Sequence, residues 1–91
     1  MKKRMHVWIR GIVKGVAFRH ETKIVADRLG LNGWIRNNEG GVEAVFEGNH
    51  DKINNILEFC QKGPTTAKVE EVETKEETFT GEFKEFKILH F

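Results

Sequence analysis

The sequence predicts a small α/β sandwich of the α+β type, in which an antiparallel sheet carries two helices on one of its faces. Three observations support this prediction. The chain has 91 residues, which suits one compact domain with a continuous core. Its apolar residues recur with a period of two in some segments and of about 3.6 in others. Glycine-containing stretches separate these segments, so that strands and helices alternate along the chain.

A change of apolar period predicts the first strand and the first helix. Met5, Val7 and Ile9 alternate with polar or larger residues, as in a half-buried strand. From Phe18 to Leu29 the apolar positions fall at i, i+4, i+7, i+8 and i+11, which is one face of an amphipathic helix. The glycine that follows is well placed to end this helix.

The middle of the chain predicts a β-hairpin. Trp34 lies in its first arm, and the second arm presents alternate apolar residues on one face: Val42, Ala44 and Phe46. The bend between the arms, residues 37–41, is rich in asparagine and glycine, which tolerate positive φ.

A second helix is predicted after the hairpin. Asn49 or Asp51 can cap its start. Its apolar stripe falls at i, i+3, i+4 and i+7, on Ile53, Ile56, Leu57 and Cys60. Gly63 and Pro64 end it.

Two further strands complete the predicted fold. Residues 67–79 form a strand with charged outward positions, and its apolar phase slips between Val69 and Val72, which predicts a bulge or a frayed edge. A last short strand has Phe86 and Ile88 facing inward. The order β-α-β-β-α-β, plus a terminal strand, is that of the ferredoxin-like sandwich, and right-handed crossovers place both helices on one face. We expect residues 1–4 to be a basic tail and residues 5–91 to be a single domain.

Composition excludes several classes of function. Fifteen basic and fourteen acidic residues give a net charge of +1, which argues against a nucleic-acid partner. No apolar run approaches the ~20 residues that cross a bilayer, so we expect no membrane partner and a cytoplasmic location. Cys60 is the only cysteine, and the four histidines lack metal-ligand spacing. We therefore expect no metal and no cofactor, and a monomer whose partner is a small molecule.

The loop before the first helix is the strongest candidate for a binding site. The first N–H groups of a helix have no internal partners, and the helix dipole favours an anion there. Glycines such as Gly15 let successive N–H groups converge, and the guanidinium of Arg19 suits phosphate oxygens. The alternative is a turn that uses glycine only for tightness, and no GxGxxG or GxxxxGK[ST] motif is present.

Asn37, at the end of the Trp34 strand, is the second candidate. It follows Arg19 by 18 residues (37 − 19). Whether its side chain faces the loop depends on tertiary structure, and the alternative is an ordinary turn asparagine.

Two motifs together resemble the acylphosphatase signature. GIVKGVAFR, residues 11–19, and LGLNGWIRN, residues 29–37, match its two conserved parts, and GPTTAKVEEV and FKI are similar to downstream segments of that family. The resemblance implies a ferredoxin-like sandwich that hydrolyses the carboxyl-phosphate anhydride, with Arg19 and Asn37 as catalytic residues. In that family Asn37 would position water, and the loop would bind the phosphoryl group through Lys14, Gly15, Val16, Ala17 and Phe18. Lys14 departs from the glutamine usual in the family.

The residue chemistry agrees with an acyl phosphate substrate. The chain contains no serine and Cys60 lies on an apolar stripe, so we expect no covalent phosphoenzyme. An asparagine amide orients water but cannot act as a general base. Without a general acid the leaving group must be intrinsically good, and a carboxylate, whose conjugate acid has a pKa of about 4, meets that need.

The alternative function is a non-catalytic anion-binding or regulatory module. We expect His20 to be a solvated surface residue and His90 to take no catalytic part.

Overall fold

The computed structural model describes residues 1–90, and the predicted end of the domain at Phe91 lies outside them. The predicted element order is present. The elements are β1 (Lys2–Ile12), α1 (Phe18–Leu29), β2 (Asn32–Asn38), β3 (Gly41–Asn49), α2 (His50–Lys62), β4 (Lys68–Glu77) and β5 (Phe86–Ile88). The first six elements form the βαββαβ unit, which confirms the predicted ferredoxin-like α/β sandwich.

The five strands form one sheet in the order β4-β1-β3-β2-β5. The first four strands pair antiparallel with their neighbours, whereas β5 pairs parallel to β2. The sheet is therefore mixed: the predicted antiparallel sheet comprises the first four strands, and the terminal strand adds to it in parallel. The reason is that residues 78–85 cross the sheet from β4 to β2: the Thr80 N–H donates to Glu47 on β3, and Asn32 on β2 donates to the Phe83 carbonyl.

The N-terminal segment belongs to the sheet. Strand β1 begins at Lys2, and residues 2–4 pair with residues 47–49 of β3. Arg4 also forms ion pairs with three glutamates: Glu47, Glu77 and Glu82. The prediction of a solvated basic tail over residues 1–4 was therefore wrong from Lys2 onward, because strand pairing and these carboxylates hold the segment.

The helices cover the face of the sheet that carries Val7 and Ile9. Both side chains are fully buried, and the apolar stripes of α1 and α2 pack against them with some members buried and others only partly buried. Trp8 points to the opposite face, where its ring stacks on His6 at a centroid distance of 4.0 Å. Cys60 belongs to the core, and burial raises the pKa of its thiol to about 12.

The predicted bulge and the predicted conformation of the hairpin bend have different outcomes. The pairing of β1 with β4 shifts register between Arg10 and Gly11, opposite residues 69–71, which confirms the predicted bulge. In the hairpin bend only Gly41 has a positive φ, of 155°. Asn38 instead stabilises the bend with its side-chain oxygen, which accepts hydrogen bonds from the N–H groups of Gly40 and Gly41.

The helix termini follow the sequence closely. Helix α1 begins at Phe18 and ends before Gly30, which has φ 70° and ψ 27°. Asn49 occupies the N-cap position of α2, but its side chain makes no capping hydrogen bond, so the prediction of a side-chain cap is not met there. Helix α2 ends before Gly63, as predicted.

Candidate functional site

The loop between β1 and α1 has the backbone of an anion-binding nest. Gly15 has φ 69° and Ala17 has φ 65°, and Ala17 is the one non-glycine residue with positive φ among residues 1–90. In that described part of the chain, no backbone N–H of residues 15–19 donates a hydrogen bond to a carbonyl or side chain. Free N–H groups at a helix N-terminus, next to left-handed residues, form a concavity that binds anions.

Contacts from outside the loop hold it in place. Phe18 is buried, and its ring centroid lies 6.1 Å from that of Phe59 on α2. The Thr66 hydroxyl donates to the carbonyl oxygen of Val16 at 2.9 Å. The Lys14 ammonium donates to the Glu39 carbonyl in the β2–β3 turn at 3.4 Å. These three contacts tie the loop to α2, to the segment after α2 and to the hairpin.

Arg19 and Asn37 line the same cavity. Arg19 lies in the first turn of α1, and Asn37 lies near the end of β2. With Leu89 and His90 they enclose about 260 Å³. Within residues 1–90, no carboxylate lies within ion-pair distance of the Arg19 guanidinium. The described residues therefore leave the guanidinium without an ion-pair partner in this cavity.

The side-chain oxygen of Asn37 is buried without a hydrogen-bond partner in the described part of the chain. Buried polar atoms are nearly always paired, because an unpaired one loses its hydration without compensation. An unpaired acceptor beside a cavity is a place where a water molecule or a ligand donor binds. The side-chain hydrogen bonds of the bend come from its neighbour Asn38 rather than from Asn37.

A second cavity adjoins the loop. It encloses about 240 Å³ and is lined by Val13, Gly15, Ala17, Phe18, Arg19, His20, Ile88 and His90. Arg19 and His90 line both cavities. Arg19 therefore connects the cavity of Asn37 with the cavity of the loop.

The structure does not bring every predicted loop side chain to these cavities. Lys14 and Val16 line neither of them. The Lys14 ammonium is directed to the Glu39 carbonyl, and the Val16 side chain packs against the core. Phe18 is buried in that core, so only the backbone N–H groups of Val16 and Phe18 remain for an anion.

His90 is the residue that sequence reasoning missed. It lines both cavities although it lies near the end of the chain, and His20, which is exposed as predicted, lines the second. The motif FKI located the strand before His90. Its position at the site depends on the parallel pairing of β5 with β2, which no local pattern reveals.

No group of three or more His, Cys, Asp or Glu side chains in residues 1–90 has the arrangement of a metal site. In the same residues, neither helix combines the length and apolar character needed to cross a membrane.

The protein is thus a small α/β sandwich in which a guanidinium and a carboxamide share a cavity at the start of the first helix. The family model described as acylphosphatase matches residues 5–88. An acylphosphatase from Syntrophobacter fumaroxidans is 53% identical over 88 residues, covering 96% of this chain and 91% of the relative. One from Syntrophus aciditrophicus is 48% identical over 91 residues, covering 99% and 95%.

Solved structures agree with the sequence relatives. The structure of an acylphosphatase from Coxiella burnetii superposes with a TM-score of 0.91 at 32% identity, covering 97% of this chain and 93% of that one. This chain belongs to the acylphosphatase family, and it is a hydrolase of acyl phosphates.

Proposed function

We propose that this chain cleaves its acyl phosphate substrate by direct attack of water on phosphorus, with Arg19 and the loop N–H groups holding the phosphoryl group and Asn37 orienting the water. The observation that carries the proposal is the shared cavity of Arg19 and Asn37, with free N–H groups on one side and an unpaired buried oxygen on the other. The products are a carboxylate and inorganic phosphate.

The phosphoryl group binds first to the nest. The N–H groups of residues 15–19 supply hydrogen bonds, and the N-terminal end of α1 supplies a favourable dipole. The Arg19 guanidinium adds a planar, permanently charged donor for the phosphate oxygens. These groups are already oriented before substrate arrives, so they also stabilise the charge of a loose transition state.

Water attack then follows from the position of Asn37. Its side-chain oxygen accepts a hydrogen bond from water, which holds the water's lone pair toward phosphorus. The amide takes no proton, so the water proton passes to an oxygen of the substrate's phosphate. Positioning of this kind removes much of the entropic barrier to a bimolecular step.

The residues of the chain also support a mechanism without a phosphoenzyme or a metal. No serine is present, and burial raises the pKa of the Cys60 thiol to about 12, so neither supplies a nucleophile. The carboxylate leaves without an acid catalyst. The charge stabilisation that a metal would give comes instead from Arg19 and the N–H groups, and activity in the presence of a chelator tests this.

Oligomeric state and location also stay predictions. We infer a monomer, because the groups that the proposed mechanism uses, Arg19, Asn37 and the loop N–H groups, make a complete site without a second copy. We infer the cytoplasm, since a lone buried thiol is compatible with a reducing compartment.

The test measures benzoyl phosphate hydrolysis, with chelator present, for the Arg19→Ala and Asn37→Ala variants. We expect kcat to fall by about 10³–10⁵ for Arg19→Ala and about 10²–10³ for Asn37→Ala, since each removes transition-state stabilisation or positioning. Arg28→Ala, exposed at the other end of α1, and Asn55→Ala, exposed on α2, are the matched controls and should keep wild-type turnover.

Wild-type turnover in either site variant would overturn the assigned roles. Tight phosphate binding by a wild-type protein that hydrolyses no acyl phosphate would favour the anion-binding module instead. Thermal unfolding of each variant checks that the fold is intact.

A further inference from the structure

We propose that His90, in its imidazolium form, is a second cationic ligand of the substrate's phosphoryl group, opposite Arg19. This inference rests on the proposed function and deepens it: the site would prefer a doubly charged phosphoryl group and bind it more tightly at acid pH than at alkaline pH.

Parallel strand pairing places His90 beside Asn37. The register pairs Gly33 with Phe86 and Ile35 with Ile88, and the Leu89 N–H donates to the Ile35 carbonyl at 2.8 Å. His90 follows the end of this strand by two residues, and it lines one cavity together with Arg19 and Asn37. It also lines the cavity of the loop, together with Ile88.

The cavities agree with this placement. Arg19 and His90 are the two residues that line both the 260 Å³ cavity of Asn37 and the 240 Å³ cavity of the loop. A phosphoryl group bound by the guanidinium and the nest therefore lies beside His90. The His90 side chain is exposed rather than packed in the core, so it is accessible to a ligand.

Charge gives His90 a role that a neutral residue cannot fill. The phosphoryl group of an acyl phosphate carries up to two negative charges, and Arg19 supplies one positive charge. An imidazolium supplies the second charge and an N–H donor. The titratable residues that share its cavities are Arg19 and His20, both on α1, and none of the described lining residues is acidic. Among the described residues that line these cavities, the negative charge next to the imidazolium is therefore that of the bound anion.

The experiment compares wild type with His90→Gln and His90→Arg, using benzoyl phosphate at pH 5.5 and pH 8.5. For His90→Gln we expect KM to rise about tenfold at pH 5.5, with kcat within about twofold, because one charge-assisted contact is lost. At pH 8.5 wild type loses that contact too, and the two KM values converge. His90→Arg should keep the low KM at both pH values, since its charge is permanent.

Two controls and a second readout support the comparison. His50→Gln changes an exposed histidine at the start of α2, outside both cavities, and should leave KM unchanged at each pH. Inorganic phosphate, as a competitive inhibitor, should also lose affinity in His90→Gln at pH 5.5, which reports binding without turnover.

An unchanged KM in His90→Gln at pH 5.5 would overturn the inference, and so would a KM raised equally at both pH values, since that pattern indicates a role without charge. Failure of this inference is separate from failure of the proposed function. If Arg19→Ala and Asn37→Ala lose turnover while His90→Gln behaves as wild type, only the role of His90 is overturned.

Discussion

Ala17 is the residue at which side-chain type and backbone conformation disagree. Its φ of 65° and ψ of 16° lie in the left-handed region, which costs a non-glycine residue about 1–2 kcal/mol. The contacts that hold its neighbours, through buried Phe18 and the hydrogen bond of Thr66 to Val16, maintain this conformation. The strain orients the N–H groups of the nest, and such strain is common where a site must be rigid.

We expect Ala17→Gly to raise the free energy of unfolding by up to about 1 kcal/mol, because relief of the strain outweighs the added entropy of the unfolded chain. The same variant should lower kcat/KM severalfold, since the loop becomes less rigid. Urea unfolding and benzoyl phosphate kinetics measure the two effects. Ala26→Gly, a buried position inside α1, is the control and should lose about 1 kcal/mol of stability. Equal destabilisation by both variants would contradict the account of Ala17.

Among the elements, the segment between α2 and β4 contacts the loop between β1 and α1 and holds it in place. Gly63 ends α2 against Phe18, where an added Cβ would lie 2.8 Å from the ring. Thr66 follows and donates to the Val16 carbonyl at 2.9 Å. The GPTTA stretch thus has a physical role at the site: it brings α2 to an end beside the loop and supplies a hydrogen bond that holds it.

Thr66→Val tests this support, because valine keeps the branched shape and removes the donor. We expect kcat/KM to fall by about three- to tenfold, while the free energy of unfolding changes by less than about 1 kcal/mol, as for one exposed hydrogen bond. The measurement is benzoyl phosphate kinetics beside urea unfolding. Thr65→Val is the matched control, since Thr65 is exposed and its hydroxyl bonds to no described residue. Equal kinetics in the two variants would exclude a role for the Thr66 hydroxyl.

At the level of the whole molecule, a network of charged side chains lies on the sheet face that the helices do not cover. His6 bridges Glu43 at 2.6 Å and Glu77 at 2.9 Å, and Arg36 also pairs with Glu43. The hydrogen bond from His6 is the main cause that lowers the pKa of Glu77. Burial would raise the pKa of Glu43, but the hydrogen bonds from His6 and Arg36 outweigh it and hold that pKa below its ordinary value.

Lowered pKa values imply acid sensitivity. A carboxylate whose pKa is lower in the folded chain stabilises the fold above the ordinary value of 4.5, and this contribution is lost as pH falls through the folded value. We therefore expect His6→Gln to lower the free energy of unfolding by about 1–3 kcal/mol at pH 5.5 and by less at pH 2.5, because the contribution declines as the carboxyls take up protons. Urea unfolding at the two pH values measures it.

The control for the acid prediction is His50→Gln, which replaces an exposed histidine outside the network and should match wild type at both pH values. A His6→Gln effect of the same size at pH 5.5 and pH 2.5 would show that the side chain acts by packing rather than by charge.

The sequence by itself determined the local features of this protein. Phe18 and Leu29 bound α1, Gly30 ends it, and the phase slip between Val69 and Val72 marks the bulge. These features depend on neighbouring residues, because a helix face, a cap or a bulge is set by apolar spacing and backbone freedom within a few positions. The acylphosphatase motifs belong to the same level, since each is a continuous stretch.

Only the tertiary structure decided how distant segments meet. The start of β1 at Lys2, the parallel addition of β5 to β2, and the arrival of His90 beside Arg19 and Asn37 all depend on pairing between strands far apart in the chain. Lys14 turns to the hairpin for the same reason, because the carbonyl that accepts its hydrogen bond lies 25 residues away. Local periodicity predicts that a segment is a strand, but the order and register of the strands depend on the burial and hydrogen bonding of the whole sheet.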